Sequence, residues 1–241
     1  MTRVLAPLLA LAVALFSACG GRVPLRPSGD QLQGVGRLAV VVPAQSTFTV
    51  LNARMTAGVA QSMPRGMGIL DTLFFLGLSV VLAGAEAGIA SAEDAALTAA
   101  VAPHVAAISA PSVLGEAFVR TLRAARRFGE IPMLDREPQG DELKRFDVVV
   151  LLKVPAWGLV RVTREEQVLM SGFAIIQARM TMASSGQVVW EEEDDATGHG
   201  WHALDSFKQD AELTRRELTD TLERAGWRLA AELLYPRGGR Q

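Results

Sequence analysis

The stretch GFAIIQARMTMASSGQVVWE, residues 172–191, decides the architecture. Ala174, Ile176, Ala178, Met180 and Met182 alternate with Gln177, Arg179 and Thr181, the two-residue period of a strand with one face in a core and one toward solvent. Ser184, Ser185, Gly186 and Gln187 are turn residues, and Val188-Val189-Trp190 resumes an apolar run, so the segment reads as an antiparallel hairpin.

Working back toward the amino terminus, residues 147–154 form a strongly apolar strand and residues 157–163 another. Only Pro155-Ala156 separates them, so a single bent strand with the proline at an edge or bulge is one reading of the pair. Residues 135–142, with Pro138 and Gly140, read as a loop, and residues 131–134 as a small strand. From Ser112, a candidate N-cap, Leu114, Phe118, Thr121, Leu122, Ala125 and Phe128 recur at helical spacing, with Arg120, Arg123, Arg126 and Arg127 mostly on the other face. A solvated face is the plain reading of those arginines, and a docking face for a partner the functional one. Residues 93–101 are alanine-rich and predict a helix ended by Pro103, followed by a weak apolar connection over 104–110. Residues 37–42 are a buried first strand stopped by Pro43, and residues 52–62 predict a short helix.

Working forward, the acidic run Glu191-Glu192-Glu193-Asp194-Asp195 reads as a solvated β edge that discourages aggregation, and the pairs Glu165-Glu166 and Asp194-Asp195 as surface. Residues 211–234 carry Leu218, Leu222, Ala225, Leu229 and Leu233 on one stripe before Pro236, the signature of a helix covering a sheet. The order of elements gives an α+β domain, a largely antiparallel sheet with helices packed on one side and an apolar helical insertion after the first strand. That insertion, residues 69–90, is broken by Gly77, Gly84 and Gly88. Its uncharged core, residues 72–85, falls short of the about 20 residues a spanning helix needs. A buried helix is the leading reading, beside a membrane-dipping or self-associating hairpin and a true span.

The chain has 241 residues, 49% of them apolar and 21% charged, a globular balance that excludes a disordered chain. Net charge is -2 and the basic residues are dispersed, which argues against nucleic acid as a partner. The single cysteine, Cys19, excludes internal disulfides and thiolate metal clusters. It follows a basic start at Arg3, an apolar run over residues 4–16 and the small residues Ser17-Ala18, which together make a secretory signal. Leu15-Phe16-Ser17-Ala18-Cys19 resembles the lipobox of bacterial lipoproteins, with Phe16 where leucine is usual. The resemblance implies lipidation of Cys19, and at about 0.8 kcal/mol per buried methylene its two or three acyl chains anchor stably. Gly20, where aspartate commonly marks inner-membrane retention, points to the outer membrane. The expected organisation is a signal peptide at 1–18, a lipidated terminus and tether at 19–33, one α+β periplasmic domain at 34–236 and a tail at 237–241. That domain is similar to the periplasmic domains of the curli-secretion channel lipoprotein and to the TolB amino-terminal domain. The similarity is carried by residues 37–42 and 112–236 and the Met182-to-Trp190 hairpin.

Chemistry is sparse. His199 and His202, three residues apart behind the acidic run, are candidate metal ligands, although their spacing matches no known ligand set and a solvated strand end explains them as well. The acidic run lacks the glycine turn of a calcium loop, no Gly-x-Ser-x-Gly or phosphate loop occurs, and no cofactor site is indicated. Trp157, Trp190, Trp201 and Trp227 read as core or rim. The leading expectation is a non-catalytic, lipid-anchored envelope module that binds a partner protein or itself. Two alternatives stay open, a carrier of an apolar ligand or lipid and a metal-dependent envelope hydrolase built on His199 and His202.

Overall fold

A computed structural model describes Pro27, Leu32 and residues 34–53, 92–164 and 167–235. Seven strands form one mixed sheet: β1 (Leu38–Val41), β2 (Ser46–Ala53), β3 (Met133–Leu134), β4 (Val148–Arg164), β5 (Gln167–Met182), β6 (Val188–Thr197) and β7 (His202–Ala203). Four helices pack against it: α1 (Ala92–Val105), α2 (Ala110–Ala124), α3 (Leu204–Gln209) and α4 (Ala211–Leu234). The α+β class is as the hairpin and the amphipathic helices predict. Cys19 and the apolar segment 69–90 lie outside the described residues, as does the pair Glu165-Glu166.

The sheet is built on its two longest strands. β4 and β5 pair antiparallel from Val148 with Met182 to Arg164 with Gln167, broken by one bulge between Lys153 and Ala156. Pro155 sits in that bulge, where its missing N–H costs no ladder bond, so the two apolar runs are one bent strand. β6 continues the antiparallel side beyond β5, closing the expected hairpin through a turn in which Gly186 adopts φ +69° and donates to the Met182 carbonyl at 2.8 Å. On the other side, β4 pairs parallel with β1 along its first half and with β2 along its second. Asp147 clamps that junction: Oδ2 accepts from the amides of Gly36 and Arg37 at 3.0 and 2.8 Å, and Oδ1 from the Arg37 guanidinium at 2.8 Å. These bonds hold the Asp147 carboxyl down at about 2.

Alternate residues of β1, β4 and β5, among them Leu38, Val40, Val150, Leu152, Ile176 and Met180, join the buried residues of the helices in one core. α4 supplies the predicted stripe, with Leu218, Leu222, Ala225, Leu229 and Leu233 all buried. The reverse face of the sheet is not wholly solvated. Leu143 and Phe146 cover Ala39, Val41 and Val149 there, a second small cluster that alternation alone does not announce. Among the described residues no single helix is long and apolar enough to cross a membrane.

Five expectations need correction. Asn52 and Ala53 continue strand β2 instead of opening a helix, because their partners in β4, Arg161 and Val162, extend the parallel ladder. The apolar segment therefore follows the second strand. α1 runs through Pro103 to Val105, since buried Val101 and Val105 hold the last turn on the core despite one missing N–H. α2 begins at Ala110 with Ser109 as N-cap, because Pro111 is pre-set for a first helical turn; Ser112 lies inside and bonds Ser109 through the hydroxyls at 2.7 Å. The helix stops after Ala124 with Arg126 in the left-handed region at φ 53°, where glycine is usual. Phe128 thus reaches the core from the following loop.

Gly158 has φ +146°, and a Cβ there would overlap the Thr49 carbonyl oxygen of β2. Gly140 also has positive φ, +55°, but open space around it. Gly158→Ala should destabilise the fold by about 3 kcal/mol in urea unfolding and Gly140→Ala by about 1 kcal/mol. Equal losses would show that the β2–β4 approach is not tight.

Candidate functional site

The residues carrying chemistry gather where α4 crosses the ends of β5, β6 and β7. α4 is capped by Asp210, whose Oδ1 accepts from the amides of Glu212 and Leu213 at 3.0 and 2.9 Å. Beside its apolar stripe, Thr214, Glu217 and Thr221 recur at three- and four-residue spacing and are all buried. The Thr221 hydroxyl turns back on the helix, donating to the Glu217 carbonyl at 2.7 Å, and that of Thr214 lies between the carbonyls of Phe207 in α3 at 2.9 Å and Asp210 at 3.0 Å. Glu217 faces the sheet instead. Its Oε1 accepts from the Ser171 hydroxyl at 3.2 Å and the Gly172 amide at 3.4 Å, and its Oε2 lies 3.9 Å from His202 Nε2.

Glycine makes this approach fit. A Cβ on Gly172 would stand 2.6 Å from the Thr221 hydroxyl, and one on Gly198 would overlap the Glu217 carboxylate. His202 is steadied by Phe207, whose ring meets the imidazole edge-on at 5.6 Å. Serine, carboxylate and imidazole are thus neighbours, but the wholly buried Ser171 donates to Glu217 and not to a nitrogen base. Nucleophilic catalysis needs the serine–base bond.

The two candidate metal ligands part company. His202 is directed at Glu217, whereas exposed His199 lines a groove between α2 and α4. Among the described residues no group of three or more histidine, cysteine or carboxylate side chains is placed to hold a metal ion. The groove, about 600 Å³ and open to solvent, is flanked by Arg120, Thr121, Glu223, Arg224 and Trp227. Its rim is charged, unlike the closed apolar pocket a lipid carrier calls for.

A second polar knot lies on the β6 edge. Asp194, expected at the surface, turns inward: its Oδ1 accepts from Arg228 Nη2 at 2.7 Å, while Arg228 Nη1 donates to the Asp195 carbonyl at 3.0 Å. Burial, outweighing the pull of Arg228 and reinforced by Glu232 and Asp195, pushes the Asp194 carboxyl up to about 6. The α2 arginines are also engaged. Arg123 donates to the Ile131 carbonyl at 2.9 Å and Arg120 pairs with Glu223 at 3.1 Å. Of the tryptophans, Trp157 and Trp190 are core, while Trp201 and Trp227 are exposed.

Ser171, Glu217, Arg224 and Arg228 were not singled out by sequence. The available signal was the polar interruption Thr214, Glu217, Thr221 flanking an otherwise apolar helix stripe, matched by Gly172 in β5 and Gly198 just beyond the end of β6.

No protein-family model and no curated protein matches the sequence. Solved structures to which the chain is similar include protein XCC0632 from Xanthomonas campestris, of the DUF330 family model, with TM-score 0.41, 10% identity and 86% and 88% of the two chains covered. They also include the PelC dodecamer from Paraburkholderia phytofirmans, with TM-score 0.32, 12% identity and coverage of 81% and 88%. Lipoprotein GNA1162 from Neisseria meningitidis has TM-score 0.20, 12% identity and coverage of 67% and 82%. No function passes to this chain from them.

Two outcomes are expected. Glu217→Ala strands the Ser171 hydroxyl and the Gly172 amide in the core and should cost about 2 kcal/mol in urea unfolding, with Glu217→Gln recovering part of it. For Asp194, a folded value of about 6 above the ordinary 3.8 means the fold favours the protonated acid. Its contribution is therefore complete below pH 3.8 and is lost as pH rises through about 6. The urea midpoint of wild type should fall across that window relative to Asp194→Asn; parallel curves would show that Asp194 titrates normally.

Proposed function

We propose that the protein is a lipid-anchored domain of the bacterial cell envelope, held at the outer membrane by acyl chains on Cys19, that binds envelope components or itself and catalyses no reaction. The observation that carries this is the sequence Leu15-Phe16-Ser17-Ala18-Cys19 behind a basic, then apolar, amino terminus, with Cys19 the only cysteine in 241 residues. The body supports a binding role through its construction. Its one serine–carboxylate–imidazole neighbourhood among the described residues is consumed in fastening α4 to the sheet, and its two candidate metal ligands face different surroundings.

The test is intact mass and membrane fractionation of wild type beside Cys19→Ala. An acyl-modified amino-terminal cysteine in wild type, together with release of the variant from washed membranes, supports the anchor. Unmodified wild type, or a variant that resists extraction equally, overturns it and moves membrane attachment elsewhere in the chain.

A further inference from the structure

The chain enters the fold beside a group of arginines. Leu32 is already buried in the core, and the residues after it run past the loop that follows α2. There the Gly129 amide donates to the Gly36 carbonyl at 2.8 Å and the Leu38 amide to that of Glu130 at 3.2 Å. α4 ends at the same place, since Arg127 Nη1 donates to the Leu234 carbonyl at 3.4 Å. The β5–β6 turn and the stretch before β4 complete this end of the domain. The Ala183 amide donates to the Asp147 carbonyl at 2.9 Å, and the Asp147 amide to that of Arg37 at 2.8 Å.

Arg123, Arg126, Arg127 and Arg145 are all exposed here. Arg123 and Arg127 each give an N–H to a backbone carbonyl, and among the described residues none of the four pairs with a carboxylate. The acids beside them are mostly taken: Asp147 pairs with Arg37, Asp141 with Lys144 and Glu142 with Arg136, which leaves the exposed Glu130. Tyr235, 72% exposed, follows directly on Leu234, and residues 236–241 add Arg237 and Arg240 to the sequence and no acid. Exposed tyrosine among basic side chains suits the headgroup level of a bilayer whose lipids are anionic. Cys19 stands 13 residues before Leu32, a length of chain that spans about 45 Å at most.

We infer that this end of the domain sits on anionic phospholipid headgroups, with Arg123, Arg126, Arg127 and Arg145 supplying the attraction and Tyr235 entering the headgroup layer. The inference rests on the lipid anchor at Cys19, which brings the bilayer within reach of these arginines. Acyl chains set where the domain is held, and the arginines set which end it presents. The arrangement accounts for unpaired positive charge at the point of entry in a chain whose net charge is -2.

Energy transfer in the protein purified from membranes with its native amino terminus tests it. Acylated Cys19 has no free thiol, so a dye can be placed by Ser185→Cys in the β5–β6 turn or by His199→Cys beyond the other end of β6, about 30 Å away by strand rise. Headgroup-labelled lipid is the acceptor. On phosphatidylcholine vesicles containing phosphatidylglycerol, transfer should be about twofold or more higher from residue 185 than from residue 199. The difference should shrink on phosphatidylcholine alone, at high salt, and in Arg126→Gln combined with Arg127→Gln. Thermal midpoints establish that the double variant remains folded, and Arg145→Gln carries the test if it does not. Equal transfer from the two positions on anionic vesicles, larger transfer from residue 199, or a difference indifferent to lipid charge and to the folded variants would each overturn the inference. A difference seen only at high protein density assigns the arginines to a second copy of the chain and overturns it too. Missing acyl mass on the same sample sinks the anchor itself, and the orientation with it.

Discussion

A buried carboxylate on α4 sets the terms for the rest of the fold. Glu217 cannot be taken from water unless acceptors meet donors, and the donors available are the Ser171 hydroxyl and the Gly172 amide in β5. Reaching them requires α4 to lie almost on the strand, which side chains at residues 172 and 198 would prevent. The same helix meets α2 where Gly226 faces the Leu114 carbonyl and the Ala117 methyl, again without room for a Cβ. Glycine therefore does its work here by absence of volume, and the left-handed conformations of Gly158 and Gly186 are a separate matter.

Opposite the helix, the sheet has to hold a long curved ladder in register. The bulge at Pro155 divides β4 into two halves with different parallel neighbours, β1 and β2, while β5 spans the whole length on the other side. Asp147, at the start of β4, gathers two amides and a guanidinium from the start of β1, so that end of the ladder depends on a charged acid. Asp194, near the far edge, is favoured by the fold in its neutral form. The two acids thus pull the pH dependence of stability in opposite directions, one losing its contribution as pH falls and the other as pH rises.

Much of the architecture was legible because it follows from period. The alternation over Gly172–Met182 and the stripe from Leu218 to Leu233 need no tertiary information, and both elements form where the patterns place them. Boundaries set by competition were harder. Pro103 looks like a stop from sequence, but the apolar contacts of Val101 and Val105 outweigh one lost backbone bond; Ser112 looks like a cap, but Pro111 moves the start of α2 earlier. Arg126 ends that helix without the glycine that would have marked it. The chemistry was less legible still. His199 and His202 stood out because imidazole is rare in this chain, yet spacing along a strand end says nothing of which way a loop will turn, and the structure sends them to separate surroundings. Glu217 and Arg224 were hidden among the ordinary charges of an amphipathic helix, and only the facing glycines and the missing acceptor distinguish them.

Three ionic groups on or against α4 are met to different degrees. Glu217 Oε1 is met by hydrogen bonds from the sheet, Asp194 by a short pair with Arg228 at Oδ1 while its Oδ2 has no partner among the described residues, and Arg224 has none at Nε and Nη2. The charge of Arg224 is favoured instead by the nearby carboxylates of Glu217 and Asp220 on the same helix, so the acid that fastens α4 to the sheet has a cation beside it.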